Sequence, residues 1–312
     1  MKTQMHRTEA DPVYDELRPL LFSIAYRMLG SASEAEDIVQ EAFLRFHEAS
    51  KGEKIDNVKA YLSTITTRLS IDHLRSARVR RESYVGPWLP EPLLTDQAPD
   101  ASQHAEMADS MSMAFLVLLE SLSPVERAVF LLREVFDYPY EEIAETIGKS
   151  EDNTRQLAVR ARRHVEEGKP RFEADKKARD ELAGKFFAAA EDGDTEGLLK
   201  LLADDVVFYG DGGGKGPAIQ KPLYGREKVS RFMQGLFRQA QRMEFTLEPA
   251  QVNGEPGAVA RYKDGRVASV ISLQIAQGQV VSLRSVVNPD KLAHLGPVVN
   301  LYEVMSAYRD RD

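Results

Sequence analysis

Cysteine does not occur in the 312 residues. Disulfide staples, thiolate zinc sites and cysteine nucleophiles are excluded together, and the composition fits a reducing compartment. Tryptophan occurs once, as Trp88. Apolar runs of membrane-spanning length are missing, and the opening stretch MKTQMHRTEADPVYDE lacks the apolar core of an export signal. The expectation is a cytoplasmic protein that engages no membrane and needs no cofactor or metal. Positive charge is scarce as well, the net charge being −8. Residues 1–172 carry 22 Lys and Arg against 29 Asp and Glu, residues 173–312 carry 19 against 20, and none lies between Glu82 and Glu126. Where Arg occurs in the first half it clusters: Arg75, Arg78, Arg80 and Arg81, then Arg155, Arg160, Arg162, Arg163, Lys169 and Arg171. Two local basic patches flanking an acidic strip read as a weak DNA binder that needs a partner. Solvated helix ends are the bland alternative.

What is present begins with helices. Asp11 and Pro12 form a helix start, after which Leu17, Leu20, Leu21, Ile24 and Met28 recur at helical spacing and stop at Gly30. Ser33 and Glu36 suggest a capping box for a second helix with Val39, Phe43 and Phe46 on one face. Asp56 or Asn57 opens a third, with Val58, Leu62, Ile65 and Leu69 inward and the first Arg cluster at its end. Residues 82–110 read as an acidic, Pro-containing linker, about 90 Å if fully extended. Within it YVGPWLPEPLL (84–94) is too rich in proline for a helix or a central strand.

Ser123, Pro124 and Glu126 combine N-cap, N1 proline and capping box at the head of PVERAVFLLREVF. Ile143, Ala144 and Ile147 then give an apolar stripe, Gly148 a turn, and Ser150 a new cap before Leu157, Ala158 and Ala161. That length and turn chemistry suit a helix-turn-helix, although any αα-hairpin would give the same pattern. The outward residues of the second helix, Asn153, Arg155, Gln156, Arg160 and Arg163, are types suited to base edges and phosphates. Arg162 can equally pair with Glu166 one turn on. From residue 176 two helices (KKARDELAGKFFAAAEDGD, TEGLLKLLADD), a strand VVFYG, the loop DGGGK (211–215) and a third helix precede a change to period two. Met243, Phe245 and Leu247, then Ile271, Leu273 and Ile275, then Val281, Leu283 and Val287 alternate with polar neighbours. Turns at KDGR and AQGQ join them. The expected domain is α+β, one antiparallel sheet packed on helices.

AEDIVQEAFLRF (35–46), AYLSTITTRLSIDHLRS (60–76) and LSPVERAVFLLREVFDYPYEEIAETIGKSEDNTRQLAVRARRHV (122–165) resemble regions 2 and 4 of extracytoplasmic-function (ECF) sigma factors. The remaining half resembles a SnoaL-like domain. WLPEP (88–92), DGGGK (211–215) and NPDKL (288–292) together are similar to the ECF subfamily in which such a domain is fused at the C-terminus. The resemblance implies two all-α domains, a region 2 bundle over 1–81 and a region 4 helix-turn-helix over 111–172. These are joined by the linker 82–110 and followed over 173–312 by an α+β cone with a curved antiparallel sheet.

It further implies roles. Asp37, Gln40, Glu41 and Leu44 would dock on polymerase. Tyr61, Arg68, Asp72, Arg75 and Arg78 would meet the −10 element, with Tyr61 alternatively a core residue. Asn153, Arg155 and Gln156 would read the −35 element while Arg160 and Arg163 bind phosphate. The implied partners are core RNA polymerase, at its β′ clamp and β flap, and promoter DNA, with no separate anti-sigma factor required. DGGGK is expected to be a mobile, exposed loop. With NPDKL it would seat the linker: Asp211, Gly212, Gly213, Gly214, Lys215, Asn288, Pro289 and Asp290 on one side, Trp88, Pro90 and Pro92 on the other, with Trp88 as the buried anchor. Two other readings stay open. One is a stand-alone DNA-binding regulator with a ligand-sensing domain. The other is a SnoaL-like cyclase or isomerase using Asp211, Asp290 or His294 as acid and base.

Overall fold

The structure, a computed structural model, describes residues 12–52, 54–96, 108–168 and 175–309, and the side chains of 77–82 and 108–109 lie outside the description. The expectations for Asp11, Lys169, Arg171 and the side chains of Arg78, Arg80 and Arg81 therefore fall outside it. The chain divides into two compact units: Met1–Val79 with Leu119–Glu167, and Arg80–Leu118 with Gly168–Asp312. Among the described residues no helix is long and apolar enough to cross a membrane.

The first unit is all-helical. Helices α1 (Pro12–Leu29), α2 (Ala32–Ala49) and α3 (Val58–Glu82) enclose Leu17, Leu21, Val39, Phe43, Phe46 and Leu62. The cap of α2 is Ser31, whose hydroxyl accepts the Glu34 N–H, and not Ser33, which lies inside the helix. Chain reversal at Gly30 brings Ser31 to the helix start and leaves no room for a cap two residues later. Asn57 caps α3 by accepting the Ala60 N–H at 3.0 Å. After α4 (Met113–Leu119), α5 (Pro124–Phe130) carries the complete capping box and then loosens into a π turn, Leu131–Val135. Helices α6 (Tyr140–Ile147) and α7 (Glu151–Gly168) follow, joined at the left-handed Gly148, around Val129, Leu132, Ile143, Leu157 and Ala158.

The same device ties the two helical groups together twice. The last carbonyls of a helix lack partners and carry partial negative charge. Arg127 of α5, 3% exposed, donates to Met28 O at the end of α1 (2.6 Å) and to Glu120 (2.8 Å). Arg68 of α3 donates to Glu145 O and Thr146 O at the end of α6, both at 2.9 Å. Tyr138 Oη to Ser63 Oγ (2.8 Å) and Thr64 to Thr146 (3.1 Å) extend the seam.

The second unit begins with α8 (Lys176–Glu191) and α9 (Thr195–Leu201), capped by Asp175 and Asp194. The strands are β1 (Leu202–Asp211), β2 (Leu223–Tyr224), β3 (Phe245–Val252), β4 (Glu255–Tyr262), β5 (Val267–Ala276) and β6 (Gln279–Val286), with α10 (Arg226–Arg242) between β2 and β3. Their order is β2-β1-β6-β5-β4-β3. The expected antiparallel sheet needs correction: β1 and β6 run parallel. The long excursion through α10 and β3–β5 allows this, since parallel neighbours need a crossover. Strand β1 begins at Leu202, so the second helix is shorter than TEGLLKLLADD suggested. Strand β4 was not anticipated, although the Asn253-Gly254 turn before it is a strong hairpin signal.

The sheet is buried on both faces, which also corrects the sequence reading. On one face Ile271, Leu273, Ile275 and Leu283 pack against Phe186 of α8, Leu198 of α9 and Met233 and Phe237 of α10. The other face holds Val252, Val270 and Val286 under Leu89 and Leu94 of the linker, Met113 and Val117 of α4, and Leu292. Ser272, Gln274, Ser282 and Arg284, which the alternation assigned to solvent, are all under 9% exposed. The segment read as a tether supplies the missing layer. Short α11 (Pro289–Leu292) and α12 (Leu301–Arg309) complete the unit.

Gly257 of β4 faces Ser272 where a Cβ would collide with the Ile271 carbonyl. Gly257→Ala should destabilise this unit by about 1–3 kcal/mol through overpacking, measured by denaturant unfolding followed by circular dichroism.

Candidate nucleic-acid interface and linker seat

Helix α7 is positioned by one apolar face. Thr154, Leu157, Ala158, Ala161 and Val165 are buried. The period of the helix therefore leaves Asn153, Arg155, Gln156, Arg160 and Arg163 exposed together. Each arginine has a carboxylate at hand. Arg155 pairs with Glu151 and lies 4.6 Å from the Tyr140 ring centroid, Arg160 is 3.7 Å from Glu126, and Arg163 is 3.3 Å from Glu167. Exposed pairs of this kind contribute about 0–1 kcal/mol, so they exchange readily for phosphate. Arg162 pairs at 2.5 Å with Glu134 on the π turn rather than with Glu166.

On α2, Asp37, Gln40, Glu41 and Leu44 share one face at i, i+3, i+4 and i+7. Leu44 is 60% exposed, and Glu41 pairs with Arg45 at 2.7 Å. An uncovered leucine among carboxylates suits an apolar and basic partner surface. On α3 the structure separates the candidates. Asp72 and Arg75 are exposed and paired at 3.1 Å. Arg68 caps α6. Tyr61 packs in the helical core, its ring 6.2 Å from that of Phe46. The Arg78 side chain lies outside the described residues.

The second unit holds the linker. Prolines 87, 90 and 92 have no N–H to offer, so the segment depends on the few donors left between them. The Leu89 N–H donates to Asp211 Oδ2 (2.8 Å), and the Leu93 N–H donates to Asn253 Oδ1 (3.0 Å). The Asn253 N–H returns a bond to Leu93 O (2.8 Å), and the Thr95 N–H donates to Gln251 O (2.8 Å). The linker thus borders β3 as a short added strand, and Leu94 bridges Val252.

Asp211 is fully buried. Besides Leu89 it accepts from Tyr84 Oη (2.5 Å) and from Lys291 Nζ (2.7 Å). Lys291 also donates to Leu89 O, and Asn288 Nδ2 donates to Tyr84 Oη (2.9 Å). Burial, reinforced by the bond to Asp211, holds the Tyr84 phenol well above its usual pKa, so it remains a donor. Gly213 sits at φ 54°, where a Cβ would strike Asn288 and Tyr84, so the close approach of loop and linker requires glycine there.

Two expectations change. DGGGK is not a mobile, exposed loop at its start, since Asp211 is buried and ion-paired. The anchor is Leu89, 1% exposed in the core with Val270 and Val286, rather than Trp88. Trp88 is half-buried, with Lys291 Nζ 4.2 Å from its ring centroid. Alternation explains this: Trp88 and Leu89 point to opposite sides of an extended chain, and the smaller residue fits between the strands. The other proposed seat residues divide. Pro90 and Pro92 are buried, while Lys215 and Asp290 form an exposed pair at 2.5 Å. His294 Nε2 donates to Pro92 O (2.8 Å). Lys291, Tyr84 and Asn253 were missed as site residues. Lys291 stands within NPDKL and Tyr84 within the proline-rich stretch, but only the fold brings them to Asp211.

Lys291→Met would leave the Asp211 carboxylate buried without its cation. The expected loss is about 3–5 kcal/mol in unfolding free energy, together with faster proteolytic cleavage within residues 83–96.

Comparison with known proteins agrees with this geometry. Residues 13–80 match Sigma-70 region 2, residues 112–165 match Sigma-70 region 4, and residues 183–287 match the SnoaL-like domain. The chain is 38% identical over 287 residues to the ECF RNA polymerase sigma factor SigJ of Mycobacterium tuberculosis, covering 89% of this chain and 91% of that one. It is 32% identical over 277 residues to the probable ECF RNA polymerase sigma factor SigI of the same species, covering 88% and 92%. The crystal structure of SigJ superimposes with a TM-score of 0.71 at 36% identity, covering 90% of this chain and 97% of that one. Two helical groups in one unit, an exposed recognition helix and a linker seated on a C-terminal α+β domain are therefore features of a chain that belongs to the ECF RNA polymerase sigma factors carrying a C-terminal SnoaL-like domain.

Proposed function

We propose that the chain is an alternative sigma factor that binds core RNA polymerase, directs initiation at specific promoters, and is modulated in cis by its SnoaL-like domain. Polymerase docks on Asp37, Gln40, Glu41 and Leu44 at the β′ clamp, with region 4 meeting the β flap. Asp72 and Arg75, with Arg68 and Arg78, contact the −10 element. Asn153, Arg155 and Gln156 read the −35 major groove from the first turns of α7, and Arg160 and Arg163 hold phosphate. The low basic excess fits, because polymerase brings both patches to the duplex.

The observation that carries the modulation is the buried Asp211–Lys291 pair clasping both main-chain groups of Leu89. The linker joins the two DNA-binding regions, so fixing residues 84–95 on the C-terminal domain shortens the chain free to span promoter elements. Arg68 also caps α6 in this state, so engaging the −10 strand requires it to leave that cap. The seat acts where a separate anti-sigma factor would, and none is required. The domain's role is regulatory and not enzymatic: Asp211 and His294 are spent on holding the linker, and Asp290 sits on the surface with Lys215.

Run-off transcription with purified core polymerase tests the reading. The full chain should support specific initiation. Leu44→Ala should weaken core binding by about tenfold, the effect of losing an interface anchor worth ~1–2 kcal/mol. Arg155→Ala should relax −35 discrimination by roughly 5- to 150-fold, the equivalent of ~1–3 kcal/mol. Leu89→Ala should alter transcript yield several-fold with core affinity unchanged. No transcript from the intact chain overturns the sigma assignment, and an unchanged yield from Leu89→Ala overturns the modulation.

A further inference from the structure

The C-terminal unit encloses a cavity of about 140 Å³ that the sigma function leaves unexplained. Its walls come from α10 (Phe232, Leu236, Ala240), the inner strands (Phe208, Ile271, Ala268) and α12, which contributes Leu301 and Met305. Of the lining residues only Gln239, Ser269 and Ser285 have polar side chains, and none is Asp, Glu, Lys, Arg, His or Tyr. Such a lining holds no acid or base for chemistry and offers little to water. An apolar cavity of about 150 Å³ stays dry and takes up benzene-sized molecules.

Two further observations make this more than a packing gap. First, one wall is detachable. Helix α12 is held by Val304, by its two cavity-lining side chains and by Tyr308 Oη donating to Glu244 at 2.5 Å, and Met is the side chain best able to reshape around a guest. Second, the cavity and the linker seat share the same strand ends. Gly210 and Val287 line the cavity, and the next residues, Asp211 and Asn288, hold Leu89 and Tyr84. The Val287 and Asn288 N–H groups both donate to Asp211 O, at 2.8 and 3.1 Å. There is little slack, since a Cβ on Gly210 would already touch Ile219 and Phe208 at 3.4 Å. A guest that displaces Gly210 or Val287 moves the seat with it.

We infer that this cavity is a binding site for a small, uncharged, apolar molecule of monocyclic aromatic size, and that its occupancy is transmitted to the linker through Gly210–Asp211 and Val287–Asn288. Binding stands on the cavity alone. Its effect on transcription rests on the cis-modulation proposed above, and the test reads the two separately.

The probe is fluorobenzene, titrated into the full chain and followed by 19F NMR, thermal unfolding and the emission of Trp88. The intact protein should bind at one saturable site. Its Tm should rise by about 2–4 °C at tenfold excess over the dissociation constant. Trp88 emission should change with the same midpoint, because the Lys291 ammonium next to its ring moves with the seat. Ala240→Phe and, independently, Ala268→Leu fill the cavity from opposite walls, and each should lose at least tenfold in affinity while keeping the unliganded Trp88 spectrum. Absence of saturable binding, or undiminished binding in both filled variants, overturns the site. Saturable binding with unchanged Trp88 emission overturns the coupling. Neither result bears on whether Leu89→Ala alters transcription.

Discussion

A carboxylate sealed from water must be answered by charge and hydrogen bonds, and Asp211 is that carboxylate here. Lys291 supplies the charge, while Tyr84 and the Leu89 N–H supply the bonds. Much of the C-terminal unit follows from this arrangement. Asn288 caps the short helix that carries Lys291 and also donates to Tyr84. Glycine at 213 lets the loop close over the phenol. The linker main chain must lie where its groups complete the set, which places Leu89 in the core and the prolines where missing donors cost nothing.

The helical unit relies on charge at chain ends in a related way. Arg127 and Arg68 each neutralise the carbonyl end of a helix from the other helical group, so the two groups are joined by reciprocal caps. The two caps differ in strength because burial differs. Arg127 is almost fully enclosed, and burial pushes its guanidinium down to about 9, whereas Arg68 is exposed at the surface. The exposed cap is the one that yields to competition from nucleic acid, and it lies on the helix assigned to the −10 element.

Seat and cavity lie back to back along β1 and the end of β6. One side of these strand ends is polar and sealed by the linker, and the other is apolar and covered by α12. In such a construction the linker responds both to its own hydrogen bonds and to what fills the sheet's hollow. A SnoaL-like domain without acid or base in its hollow can still act, by binding.

Local chemistry was legible in the chain. The α5 capping box, the turn at Gly148, the inward stripe of Leu157, Ala158 and Ala161, and the exposed set on α7 follow from spacing and cap chemistry within a few residues. Leu44 among Asp37, Gln40 and Glu41 was legible for the same reason. What depended on distant neighbours was not. The alternation in β5 and β6 showed an amphipathic sheet, but it could not reveal that Ser272, Gln274 and Arg284 would be covered by a linker from far upstream. The parallel pairing of β1 with β6 is likewise a choice among partners that period two leaves open. Proline spacing announced a stiff segment that needed a surface, yet the choice of Leu89 over Trp88 as its plug, and of Lys291 as counter-charge to Asp211, was made only in three dimensions. The sequence alone determined helices, caps and the outward faces of helices, because these are set by neighbours within about one turn. The tertiary structure decided the linker seat, the covered sheet and the cavity, because burial and ion pairing depend on residues more than a hundred positions apart in the chain.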